Sequence, residues 1–235
     1  HWAAGPYLQW KREQVRLALA RERIETEIQA TVAVPAGTRR RLALHARRGP
    51  DGRATLGFKA RRSWRLVEVR ECPVADPRIV RAIPALAELA EAFLEHPKSA
   101  PTLHVTWTLT GLDVDVTGVE RRSGGLSRDA QMKAIAAAGR ANLARLSLAG
   151  ETLVMARQPQ VAFGPATVPL PAGGFLQAVP EAEAAMVSRA VEAVRGAKKI
   201  ADLFCGAGTF TFPLAMVAPV IAGDASKVGI EALKA

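Results

Sequence analysis

Cysteine is scarce: Cys72 and Cys205 are the only two in 235 residues, which argues against a disulfide framework. Long apolar runs are missing too, so no stretch has the length of a membrane span. The opening residues, His1-Trp2-Ala3-Ala4-Gly5-Pro6, do not form the charged-then-apolar pattern of a secretory signal. No Gly-Lys-Ser/Thr follows the glycines at 206 and 208, so a Walker loop is excluded. There are no internal repeats and no low-complexity tracts. These absences leave a soluble cytoplasmic protein as the expectation.

What is present is globular: 49% hydrophobic and 23% charged, long enough for one large or two modest domains. The net charge is +10 and is unevenly spread. Between Gly37 and Arg70 stand eleven Lys and Arg against Asp51 and Glu68, a net +9. Such a compact basic region is the footprint of nucleic-acid binding, set against a merely solvated face.

Along the chain, residues 7–24 read as a helix, with Leu8, Val15, Leu17 and Leu19 among basic residues. Short strands are expected over Ala30–Val34, Arg41–Ala46, Ala54–Ala60 and Trp64–Val69, with a turn at Arg47-Arg48-Gly49-Pro50-Asp51-Gly52. The basic residues thus fall on a small antiparallel sheet, not on a helix suited to a DNA groove. From Leu56 to Val67 aromatics interleave with charges. Phe58 and Trp64 can stack on unpaired bases while Lys59, Arg61 and Arg62 hold phosphates; the alternative is that both rings are core residues. Arg39, Arg40 and Arg41 extend the same basic surface.

Arg78–His96 is amphipathic at helical spacing. Leu103–Leu109 and Leu112–Val116 alternate as a hairpin with one buried face, leaving His104, Asp113 and Asp115 on the polar face. The two aspartates have no third ligand nearby, so no metal site is assigned. Ser127 is the expected N-cap of a helix through about Ser147. Strands over Glu151–Arg157, Val161–Phe163 and Thr167–Leu170 follow, then a boundary near Pro171-Ala172-Gly173-Gly174. Beyond it come a helix at 180–195 with Ala184, Val187, Val191 and Val194 inward, a strand from Lys199, a helix at 209–218, a strand to Asp224 and a helix from 226.

The organising stretch is Ile200-Ala201-Asp202-Leu203-Phe204-Cys205-Gly206-Ala207-Gly208-Thr209-Phe210-Thr211. It reads as a strand, a glycine turn and the start of a helix, where backbone N–H groups meet an anionic or polar ligand. A second strand ends at Asp224, about 20 residues on, where an acid accepts bonds from both hydroxyls of a ribose. An NAD site obeys the same logic, but the third glycine of G-x-G-x-x-G is missing and Thr211 stands in its place.

Asp202-Leu203-Phe204-Cys205-Gly206-Ala207-Gly208-Thr209-Phe210, preceded by Gly174-Phe175-Leu176-Gln177, resembles the S-adenosylmethionine (SAM) site of the RNA 5-methyluridine methyltransferases. The nearest branch is the bacterial 23S rRNA (uracil-5-)-methyltransferases. The resemblance implies an α/β fold: an α+β RNA-binding domain over residues 1–170, then the first half of a Rossmann-like SAM domain over 171–235. It implies SAM as cofactor, with Gln177 at its amino-acid end, Phe204, Gly206, Gly208 and Thr209 along the methionine and adenosine path, and Asp224 on the ribose. It implies RNA, chiefly ribosomal RNA, as partner, and no membrane.

The segment from Gly57 to Cys72 is similar to a family stretch whose Cys-Pro, here Cys72-Pro73, supplies the fourth ligand of a [4Fe-4S] cluster. The other three ligands are absent, and one thiolate does not hold four irons. The family's catalytic cysteine lies in a downstream segment that does not occur before Ala235. Cys205 sits in the cofactor turn and is not that nucleophile. The chain is therefore expected to be truncated at both ends and inactive alone. The alternatives are a non-enzymatic RNA-binding module with a vestigial nucleotide fold, or a SAM methyltransferase acting on tRNA uracil or another RNA base.

Overall fold

The computed structural model describes residues 2–49, 51–119 and 126–235. His1 of the opening segment and Pro50 of the expected turn lie outside them. The first helix, α1, spans Ala4–Arg21, with Gly5-Pro6 in its first turn, where a missing N–H costs nothing. None of its residues is buried. Trp2, Tyr7 and Trp10 cluster at its start, the Tyr7 and Trp10 rings stacked at 6.0 Å. The strand expected over Ala30–Val34 does not form: the segment is irregular and finds no ladder partner.

The next elements are β1 (Arg41–Arg48), β2 (Ala54–Lys59), β3 (Leu66–Glu68), α2 (Pro77–Glu91), β4 (Thr102–Thr108), β5 (Gly111–Thr117), α3 (Arg128–Arg140), β6 (Arg145–Leu148) and β7 (Glu151–Met155). They build one seven-stranded sheet in the order β3-β2-β1-β4-β5-β6-β7. The sheet is mixed rather than small and antiparallel, because β5 and β6 run parallel across the α3 connection. The alanine-rich helix ends at Arg140 and not near Ser147. Asn142 takes φ +51°, the chain turns, and Arg145-Leu146-Ser147-Leu148 joins the ladder. Local alanine propensity thus yields to a strand fully buried in the sheet.

One sheet face carries Leu42, Leu44, Leu103, Val105, Leu112, Val114, Val116 and Leu146, packed beneath α2 and α3 through Ile79, Leu86, Leu89, Ala134 and Ala138. Asp76 caps α2 by accepting from the Arg78 N–H at 2.8 Å, and Ser127 caps α3 through the Ala130 N–H at 3.0 Å. The opposite face is not open as the alternation implied. Asp113, Asp115, Arg145 and Ser147 are buried on it. Asp113 takes a bidentate ion pair from Arg145 at 2.8 and 2.7 Å, and Asp115 accepts the Gly150 N–H at 2.9 Å. Burial pushes the Asp113 carboxyl up and the Arg145 pairing opposes it.

A hairpin of β8 (Gln160–Phe163) and β9 (Ala166–Pro169) leads to α4 (Pro180–Ala193), β10 (Ile200–Leu203), α5 (Thr211–Ala215), β11 (Val220–Gly223) and α6 (Lys227–Lys234). β10 and β11 pair in parallel, Ile200 opposite Val220 and Leu203 opposite Gly223. Val161, Phe163, Val168 and Leu170 of the hairpin share a core with Leu176, Ala207 and Ala232. Ile200, Leu214 and Ala218 form a third cluster against Ala190, Val191 and Val194. Ala184, expected inward, is exposed, and Glu183 is the buried residue of α4.

Candidate functional site

The turn after β10 is built from backbone. Phe204 takes φ +62°, a region that costs a bulky residue about 1–3 kcal/mol, and is 89% exposed. The Cys205 N–H donates to the Gly223 carbonyl at 3.2 Å, and the Gly208 N–H to the Cys205 carbonyl at 2.9 Å. Gly206 (φ +55°) and Gly208 (φ +103°) do different jobs. A Cβ on Gly206 would meet nothing within 4 Å, so its surroundings are open to a ligand. A Cβ on Gly208 would stand 2.5 Å from the Phe212 ring, so this glycine is needed for packing.

Asp224, just past β11, ties the site together. One carboxylate oxygen accepts the Gly206 N–H at 2.8 Å and the other accepts the Ser226 N–H at 2.7 Å. These two bonds, Ser226 first, hold its pKa below the ordinary aspartate range. Each oxygen keeps a free lone pair, which suits a vicinal diol. Asp202, the acid within β10, instead accepts the Thr211 hydroxyl at 2.5 Å. Thr209 is half-buried between the turn and α5. The helix after the turn has five residues, not the expected ten, so the macrodipole adds little and the discrete N–H groups carry the electrostatics. Cys205 is buried, and burial, then Asp202 and Asp224, push its thiol pKa up, the reverse of an activated nucleophile.

Gln177 follows Leu176, which shares a hydrophobic core with Ala207, the residue between the two glycines. Its backbone is clasped by β1 and the residue before it. Arg40 Nε donates to the Gln177 carbonyl at 3.0 Å, the Arg40 N–H to the Ala178 carbonyl at 2.7 Å, and Arg41 Nη1 to the Leu176 carbonyl at 2.8 Å. Arg40 Nη2 also pairs with Glu183 at 2.7 Å. Two of the arginines expected to face a polyanion are therefore used inside the protein. Glu183 had no sequence signal, because it sits in a helix that reads as apolar and acidic at once.

The remaining basic residues are exposed or lie beside exposed Trp64. Arg39 is exposed. Lys59 at the end of β2 lies 4.5 Å from the centroid of the Trp64 ring, and Trp64 is 78% exposed. Arg61 and Arg62 are exposed on the same hairpin tip, Arg62 at φ +53°. Phe58 is packed on the main core. His104 bonds Thr117 Oγ1 at 2.9 Å and is half-buried. Cys72 is half-buried against the core, and no group of three or more His, Cys, Asp or Glu that could hold a metal exists among the described residues.

The chain is 64% identical, over its whole length, to an uncharacterized RNA methyltransferase of Caulobacter vibrioides, covering 57% of that protein. It is 37% identical over 99% of its length to an uncharacterized RNA methyltransferase of Brucella suis, covering 55% of it. A 23S rRNA (uracil(1939)-C(5))-methyltransferase of Alkalilimnicola ehrlichii is 28% identical over 80% of the chain, covering 44% of that enzyme. The chain thus spans about half the length of the curated relatives it matches. No family model matches. Among solved structures, the tRNA (uracil-54, C5)-methyltransferase of Pyrococcus abyssi, in complex with S-adenosyl-L-homocysteine, superposes with a TM-score of 0.70 at 19% identity. That match covers all of this chain and 60% of the other, a likeness of fold.

Proposed function

We propose that the chain belongs to the RNA methyltransferases that these relatives represent, and that it is the RNA platform and cofactor turn of an enzyme that methylates C5 of uracil in RNA. The observation that carries this reading is the Asp224 carboxylate bridging to the Gly206 N–H, which sets a diol acceptor beside an open glycine. The residues fit SAM. Asp224 would accept the ribose hydroxyls, Gly206 and Gly208 would let the backbone approach, and Phe204 and Thr209 would flank the adenosine and methionine path. Gln177 would bond the amino-acid end. When bound, SAM supplies an electrophilic methyl group. The chain's own part is to bind and orient that donor and to present RNA on Arg39, Lys59, Arg61, Arg62 and Trp64.

Ribosomal RNA is the proposed target, supported by the resemblance of the Cys72 segment and by the 28% identical ribosomal enzyme. The proposed division keeps residues 1–170 as the RNA-facing unit and 171–235 as the SAM unit, with β8–β9 packed onto the latter. A cytoplasmic location accords with such a substrate. No helix among the described residues is long and apolar enough to cross a membrane. For an iron–sulfur cluster the residues present do not suffice: Cys72 is one thiol where four are needed, and no step is assigned to it.

The test is calorimetry with S-adenosyl-L-homocysteine on the 235-residue chain and on a longer version of the protein. Saturable one-to-one heat, abolished by Asp224→Ala, is expected. Absence of heat from the longer version rejects the reading.

A further inference from the structure

At the end of the sheet where β4 turns into β5, a cleft of about 590 Å³ runs into a second of about 420 Å³. Arg78, Trp107 and Leu109 line both. The Arg78 guanidinium stacks 4.3 Å from the centroid of the Trp107 ring, while Asp76 holds it at 2.9 and 2.5 Å. Leu109 beside it is 64% exposed. A planar cation on an indole, next to a bare aliphatic side chain, is a stacking platform for an unpaired base.

Charge decides what such a platform attracts. The acids lining the two clefts are Asp76 and Glu183, and each is paired, with Arg78 and Arg40. The charges of Arg81 and Arg157 are left unbalanced. Arg157 spends its donors on Thr110 and Asn142, so it contributes field, whereas Arg81 is exposed on α2. The groove between α2 and α3 is the opposite case: Arg48, Lys133 and Arg140 face Glu88, Glu91, Glu95 and Asp129, a net negative lining.

Position adds direction. Arg41 pairs with Thr106, and β2 ends alongside the start of β1, so the hairpin tip carrying Trp64 lies at this same end of the sheet. Pro180 and Glu183 line the far side of the second cleft, beside the Arg40 clasp on Gln177.

We propose that this cleft is a second docking site for a single-stranded stretch of the RNA substrate, a base stacking on Arg78 and Leu109 and its phosphate facing Arg81. The inference rests on the reading that the substrate is RNA. The probe is a fluorescein-labelled single strand of about twelve nucleotides, a length within reach of such surfaces. Its anisotropy is read on the 235-residue chain across a salt series. Arg81→Glu is expected to weaken binding about tenfold and to flatten the salt slope by about 0.7. Leu109→Ala, which removes a stacking surface, weakens it about threefold or more. Arg128→Glu makes the same charge change at the far end of α3 and serves as the control. S-adenosyl-L-homocysteine binding stays at the parental value in all three.

Equal losses in Arg81→Glu and Arg128→Glu overturn the cleft and leave the RNA reading standing. No RNA binding by the parent chain overturns both the cleft and the chain's part as an RNA platform, whatever its affinity for S-adenosyl-L-homocysteine. Polyglutamate that binds more tightly than RNA, with the same dependence on Arg81, assigns the cleft to an acidic peptide and overturns the proposal.

Discussion

Arg40 and Glu183 form an ion pair of 2.7 Å whose side chains are 13% and 10% exposed. The pair joins the residue just before β1 to α4, and the same guanidinium holds the Gln177 carbonyl. Burial pushes the Glu183 carboxyl up and the Arg40 pKa down, so each charge depends on its partner to stay inside. Glu183→Ala strands the guanidinium and is expected to cost about 3 kcal/mol, read from the urea midpoint. The double variant Arg40→Met, Glu183→Leu recovers most of that loss. It still lowers S-adenosyl-L-homocysteine affinity, because Gln177 is no longer tethered. Full affinity in the double variant would show that the clasp serves stability alone.

The two turn glycines are expected to separate ligand binding from folding. Gly206→Ala introduces a methyl into open space at φ +55°, with strain of about 1 kcal/mol. It should lower cofactor affinity more than stability. Gly208→Ala drives a methyl into the Phe212 ring at φ +103°, and should cost about 2–3 kcal/mol of stability. Paired calorimetry and thermal melts distinguish the two; identical profiles would refute the assignment of separate roles.

Much of the glycine turn after β10 was legible because glycine spacing and strand ends are local signals. Gly206, Gly208 and Asp224 fall together as the spacing implied, with β10 and β11 in parallel register. The less legible features are long-range pairings. Nothing near Arg40 in sequence announces Glu183, 143 residues away, and so its charge reads as part of a basic, polyanion-binding surface. Likewise Arg145, placed in a helix by its alanine-rich neighbours, proves to be a strand residue opposite Asp113. The pair lies on a buried sheet face whose alternation reads as solvent-facing, because alternation reports polarity and not burial.

Trp64 and Phe58 are six residues apart and should respond in opposite ways. Trp64 is 78% exposed, so Trp64→Ala is expected to change stability by no more than about 0.5 kcal/mol. RNA affinity should fall by about 1–3 kcal/mol if its face stacks on a base. Phe58→Ala opens the core beneath β2 and should cost about 2–4 kcal/mol of stability. RNA anisotropy and urea unfolding on the two variants provide the comparison. An RNA affinity untouched by Trp64→Ala would remove the hairpin tip from the RNA-facing surface.

Asp224 gives the site a definite pH dependence. Its pKa in the folded protein lies below that in the unfolded chain, because the ionised carboxylate accepts the Ser226 and Gly206 N–H bonds. For an acid shifted down, the linked stabilisation is complete above the unfolded-state pKa and is lost as pH falls through the folded-state pKa. The Gly206 and Ser226 amide resonances should therefore titrate together, with a common midpoint below the ordinary aspartate range, and Asp224→Asn should abolish that titration. Cofactor affinity, to the extent that this carboxylate sets it, should stay flat from neutrality through mild acid and fall only where the two amides move. Amides that titrate at or above the ordinary aspartate range would mean that the bridge between the two strand ends does not hold the carboxylate in solution.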